Sequence, residues 1–66
     1  MTVYVDKIRD RWYGACYGVS TECSDPVLYP SARTATEAVE MFEKDKRCSV
    51  NIAYESIDGS YEVIRG

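Results

Sequence analysis

Three thiols and eleven carboxylates are the groups in this chain that could do chemistry. A cysteine nucleophile needs a base to draw off its proton, and the usual base is missing, because the sequence contains no histidine. Carboxylates act as general acids and bases only where a dry, concave site shifts their pKa, and a chain of 66 residues offers little concavity. Cys16, Cys23 and Cys48 include no C-x2-C pair, so with no histidine they do not complete a tetrahedral zinc set. No phosphate-binding loop is present. The expectation is therefore a protein that is not an enzyme and uses neither metal nor cofactor.

The remaining chemistry is charge and contact. Eight basic and eleven acidic residues leave a net charge of -3. That balance disfavours a phosphate backbone, which is bound by cations that displace counterions, and suits a protein partner with a basic surface. Trp12 and Tyr13 beside Arg9 and Arg11 make a small basic–aromatic cluster of the kind that stacks bases. On an acidic chain without an RNP-type strand, these residues are read instead as core and solvated rim, with no direct contact to nucleic acid. No apolar run approaches the ~18 residues of a membrane span. The start, Met-Thr-Val-Tyr-Val, runs straight into strand-like sequence with no secretory leader. An odd number of cysteines at irregular spacing then reads as reduced thiols in the cytoplasm, each a small apolar residue, with a Cys16–Cys23 bridge available only on oxidation.

Positioning these groups falls to a single domain, 1-66, with a thin core: a chain this short buries only about 60% of its unfolded surface. Residues 2 to 8 are β-branched and aromatic and read as a strand, followed by a polar break at Arg9-Asp10-Arg11. Trp12 to Val19 read as a second strand, with Tyr13, Ala15, Tyr17 and Val19 on one face and Trp12, Gly14, Cys16 and Gly18 on the other. Two glycines on one face predict a close approach there, by the helix or by a partner. A loop over 20 to 26 leads to a short strand, Val27-Leu28-Tyr29, ended by Pro30.

Residues 34 to 47 are the one helix. Thr34 and Glu37 form a capping box, in which the Glu37 carboxylate reaches back to the Thr34 N–H. Ala35, Ala38, Val39 and Phe42 form the apolar stripe. Glu40 with Lys44, and Glu43 with Arg47, are i,i+4 pairs in the favourable order, and Lys44, Lys46 and Arg47 suit the helix C-terminus. From Cys48 to Glu55 the alternation predicts a strand with Cys48, Val50, Ile52 and Tyr54 inward. Asp58-Gly59 then predicts a two-residue type I′ turn, setting Ile57 against Ser60, Tyr54 against Val63 on the buried face, and Glu55 against Glu62. The fold class is α+β: a single helix packed on a mainly antiparallel sheet, in the order β-β-(β)-α-β-β.

Two acidic groups are the candidate partner-binding residues. The first is the outer face of the helix, Glu37, Glu40 and Glu43, flanked by Met41, which lies off the apolar stripe. The second is Glu55, Asp58 and Glu62 on the last hairpin. Carboxylates around an apolar anchor suit docking on a basic cleft, including one that normally holds nucleic acid.

Tyr4-Val-Asp-Lys, then Arg11-Trp-Tyr-Gly-Ala, then Thr34-x-x-Glu37-Ala38-Val39 resemble the HicB-like antitoxins over about two-thirds of the chain. In that family two antiparallel strands and a third strand precede a capped helix, and the resemblance implies masking of a small toxin. The family's Pro-Gly-Cys segment before the third strand is missing. In size, acidity and compact α+β layout the chain also resembles small phage-encoded counter-defence proteins, including anti-CRISPR proteins. That likeness implies a non-catalytic inhibitor, monomeric or homodimeric, that blocks the DNA- or PAM-reading site of a CRISPR effector subunit in the host cytoplasm.

Overall fold

A computed structural model describes all 66 residues. The elements are β1 (Thr2–Asp10), β2 (Gly14–Ser20), β3 (Val27–Tyr29), α1 (Ala35–Lys46), β4 (Ile52–Ile57) and β5 (Ser60–Arg65). The strands form one sheet in the order β3-β2-β1-β4-β5. All neighbours are antiparallel except β1 and β4, which run parallel with Thr2 opposite Ile52 and Val5 opposite Glu55. The single helix packs on one face, giving the α+β class expected from sequence.

The helix forms where its local signals place it. Thr34 accepts from the Glu37 N–H at 3.1 Å, which satisfies one of the free donors of the first turn. The Glu37 carboxylate reaches one residue further than expected, accepting from the Arg33 N–H at 3.1 Å. Ala35, Ala38, Val39 and Phe42 are buried. They lie in one cluster with Val3, Val5 and Val19 from the central strands and with Ala53 from β4. Three of the large side chains in this cluster are β-branched strand valines, each stabilising the fold by about 1.5–3 kcal/mol relative to exposure. The alanines allow the helix backbone to approach the sheet. Arg47 closes the helix in a left-handed conformation, φ 52°.

Three expectations need correction. The first strand does not break at Arg9: β1 continues through Asp10, whose carboxylate accepts from the backbone N–H groups of Trp12 at 2.8 Å and Tyr13 at 3.0 Å. That carboxylate-closed turn takes Trp12 and Tyr13 out of the second strand. They are 86% and 62% exposed and do not line the core.

The close approach at Gly18 is not made by the helix. A Cβ there would collide with Ile8 Cδ1 and lie 3.1 Å from Pro26 Cβ, on the sheet face turned away from α1. A second, small apolar layer therefore covers that position. Gly14 serves differently, adopting φ +72° in the turn.

The strand after the helix begins at Ile52, not Cys48. Residues 48 to 51 are spent crossing from the helix end to the sheet. Their backbone is held by the Val50 N–H donating to Glu43 Oε2 at 2.8 Å and the Asn51 N–H donating to the Met1 carbonyl at 2.9 Å. Val50 is buried in this crossing and Ala53 in the strand, at 6% and 0% exposure, which shifts the phase of the alternation. Ile52 and Tyr54 consequently face away from the helix. The last hairpin keeps its expected register: Asp58 and Gly59 have φ 48° and 83°, and Ile57, Tyr54 and Glu55 oppose Ser60, Val63 and Glu62. The Tyr54–Val63 pair, however, lies on the open face, where Val63 is 55% exposed.

Candidate functional site

The outer side of α1 brings three of the expected partner-binding residues together. Glu37, Glu40 and Met41 line one shallow groove with Lys44. Spacing on a helix explains it, since positions three and four apart share a face. Glu37 and Glu40 are exposed, while Met41 is half-buried against the core, with its sulfur 3.9 Å from the Ser31 hydroxyl. Past Met41 and Lys44 a second, more apolar groove runs between the helix and the sheet edge, lined also by Val27, Leu28, Tyr29 and Asp45. The Tyr29 hydroxyl donates to Asp45 Oδ2 at 3.0 Å and its ring meets Phe42 edge-on at 6.5 Å. Burial, reinforced by the Asp45 carboxylate, pushes the Tyr29 phenol up to about 12.

Glu43 is used differently. It does not pair with Arg47, and Glu40 does not pair with Lys44. The ion pair that forms is Glu43 Oε1 to Arg65 Nη1, at 2.8 Å. The other oxygen accepts from the Val50 N–H. The Val50 N–H first, and the Arg65 guanidinium second, hold the Glu43 carboxyl below the usual carboxylate range. One side chain thus ties the helix to the crossing segment and to β5. Glu40 is left without an intramolecular cation.

The second acidic group stays separate from the first. Glu55 and Glu62 oppose one another across β4 and β5, and Asp58 sits in the turn at the hairpin tip. No groove joins them to Glu37 or Glu40.

The sheet face turned away from the helix carries a group that sequence reasoning missed. Tyr4 stacks on Tyr54 with ring centroids 5.6 Å apart, and Tyr61 meets both edge-on, at 5.5 Å and 6.4 Å. Strand alternation places all three on one side, from β1, β4 and β5. The signal was present in the residue types, but the phase assigned to Tyr54 turned it inward. The Tyr4 hydroxyl lies 3.4 Å from Glu22 Oε1. Loss of solvent around the phenol raises the Tyr4 pKa, and the Glu22 carboxylate adds to the rise.

The cysteines are free thiols: Cys16 buried, Cys48 half-buried, Cys23 exposed. No three cysteine or carboxylate side chains converge as metal ligands would, and no helix is long and apolar enough to cross a membrane. No family model, curated protein or solved structure matches the chain.

Proposed function

We propose that this chain is a non-catalytic protein-interaction module that lays its helix-face groove on a basic cleft. In its specific form, it is an anti-CRISPR-like inhibitor that occupies the DNA- or PAM-reading site of a CRISPR effector subunit. The observation that carries the reading is the convergence of Glu37, Glu40 and Met41 on one groove, with Glu40 free of any internal ion pair. The two carboxylates match the cations of a cleft built for a phosphate backbone, where charge complementarity speeds association and fixes orientation, while Met41 adds apolar contact beside them and Lys44 closes the groove's far end. Such an inhibitor works in the host cytoplasm, where reducing conditions keep the three cysteines as thiols.

The test is DNA binding by purified CRISPR effector complexes, with and without this protein, read by mobility shift. The variant must respect the helix cap, because Glu37 accepts from the Arg33 N–H. Glu37→Gln keeps an acceptor there, and Glu40→Lys reverses the unpaired charge. The combined variant is expected to stay folded and to lose inhibition. Inhibition at wild-type strength by that variant removes the helix groove from the mechanism. A panel of effectors that bind DNA undisturbed by the wild-type protein removes the CRISPR target itself.

A second reading draws on the layout of β1, β2 and β3 followed by a capped helix, the order in which the HicB-like resemblance runs. In that reading the protein masks a small basic toxin. Rescue of growth on co-expression with such a toxin supports it, and growth arrest despite co-expression rejects it.

A further inference from the structure

The open face of the sheet differs from the helix side in more than exposure. The tyrosine cluster leaves Tyr61 57% exposed, and Val63 and Ile52 beside it are 55% and 37% exposed. Tyr4 and Tyr54 are half-buried because they cover one another. This is an aromatic floor on rigid strands, with an apolar margin and no element of the chain laid over it.

Charge is sorted between the two faces. Along β1, Val3 and Val5 point into the core, so alternation carries Lys7 and Arg9 to the helix side, where Lys7 Nζ sits 4.4 Å from the Tyr17 ring centroid. Arg65 is held by Glu43. Arg33, Lys44, Lys46 and Arg47 belong to the helix and its flanks, and Arg11 lies in the turn between β1 and β2. The strands therefore place no lysine or arginine on the open face. They do place Asp6 there, two residues along β1 from Tyr4, and the loop after β2 brings Glu22 to the Tyr4 hydroxyl.

A platform that stacked nucleic-acid bases would need cations beside its rings to meet the phosphates. This one has carboxylates. Electron-rich ring faces bordered by carboxylates match the opposite ligand, a planar cation. Guanidinium groups stack on aromatic faces, pair with carboxylates through a fork of donors, and lose less hydration than an ammonium on doing so. A second copy of the chain is a poor occupant, because it would bring together two faces that both carry carboxylates and neither of which offers a lysine or arginine to pair with them.

We infer that the open sheet face binds an arginine-bearing segment of a protein partner, with guanidinium groups lying on Tyr4, Tyr54 and Tyr61 between Asp6 and Glu22. This surface lies on the opposite side of the molecule from the helix groove and stands whether or not that groove inhibits an effector.

The probe is a short arginine-rich peptide, with its lysine counterpart and a single-stranded oligonucleotide as competitors for the assignment. Binding is read by calorimetry and by the NMR shifts of the tyrosine rings. The arginine peptide is expected to bind more tightly than the lysine peptide and to shift Tyr4, Tyr54 and Tyr61. Tyr61→Ala changes an exposed ring and is expected to weaken binding roughly five- to thirtyfold, the range of one to two kcal/mol for a cation on an aromatic face. Glu22→Gln is expected to weaken it less, and Glu40→Lys, on the helix, to leave the ring shifts intact. The inference is overturned by equal affinity for both peptides, by binding that survives Tyr61→Ala, by oligonucleotide bound in place of peptide, or by self-association through this face in sedimentation.

Discussion

Replacing Tyr29 by phenylalanine isolates one hydrogen bond at the joint between β3 and the helix. The ring stays in place against Phe42, and only the hydroxyl that donates to Asp45 at 3.0 Å is removed. Hydrogen bonds to charged acceptors contribute about 1.5–3 kcal/mol and neutral ones about 1 kcal/mol. Asp45 is exposed, and water takes over its carboxylate in the variant, so the lower end applies: a loss of about 1 kcal/mol, or about 4–8 °C in Tm for a domain of this size. The pH dependence makes the test sharper. The phenol titrates at about 12 in the fold against an ordinary value of 10.0. A raised folded pKa means that the stabilisation is fully present below pH 10 and is lost as pH climbs from 10 towards 12. Phenylalanine has no such proton, and every other tyrosine is common to both proteins and cancels in the difference. The gap between wild type and Tyr29→Phe should therefore hold constant from about pH 7 to about pH 9. Above about pH 10 it should narrow by up to about 1.4 kcal/mol per pH unit, reach zero between about pH 10.5 and about pH 11, and change sign above that. Urea unfolding followed by circular dichroism at a series of pH values measures it. A gap of the same size at pH 8 and pH 11 would falsify the claim that the fold holds this phenol neutral. No gap at pH 8 would mean that the hydrogen bond contributes nothing.

Glu43→Gln should lower Tm at neutral pH and flatten the acid limb of stability. The Glu43 carboxyl is held below its ordinary value of 4.5, so its contribution is present above that value and fades as pH falls through the folded pKa; thermal melts from neutral to acid pH compare the two proteins. Gly18→Ala should cost about 1 kcal/mol, the low end for overpacking, because the new methyl meets the rotatable Ile8 Cδ1 and then Pro26 Cβ at 3.1 Å; adding Ile8→Val should recover part of it, as denaturant midpoints of the single and double variants decide. Glu62→Lys should raise stability by about 0.2–1 kcal/mol, replacing a like-charge pair with Glu55 by an opposite one, as read in the same unfolding assay. Alkylation under native conditions should modify Cys23 quickly and Cys16 only at the rate of unfolding, since the first is exposed and the second is 3% exposed.

What was legible in the sequence is what the chain decides locally. The cap at Thr34, the stripe from Ala35 to Phe42 and the Asp58-Gly59 turn are each settled within a few residues, and each sits where the sequence puts it. The departures begin where distant residues enter. Glu43 and Arg47 satisfy an i,i+4 rule, yet Glu43 has a better offer from Arg65 and the Val50 N–H, which only the folded chain brings near. The alternation from Cys48 onward is real as a pattern, but the first four residues are consumed in reaching the sheet, so the buried partner of Val50 is Ala53 rather than Ile52. That one change of phase hid the tyrosine cluster, because it exchanged the inward and outward faces of β4. The helix-groove residues were readable because a helix face is a local property. Their separation from Glu55 and Glu62 was not, because it depends on where the last hairpin lies in the sheet.

The parallel pairing of β1 with β4 has a consequence for the order in which the molecule assembles. Both hairpins, β1 with β2 and β4 with β5, close over short stretches of chain and form on a timescale of about 1–10 μs. Joining them requires Val3 to find Ala53 and Val5 to find Glu55, each 50 positions further along a chain of 66 residues. The entropy of closing that loop must be met before the contact gives anything back. The slow step in folding is then the seam at the centre of the sheet. Until that seam closes, β1 is paired with β2 on one side and keeps a row of unpaired backbone donors and acceptors on the other.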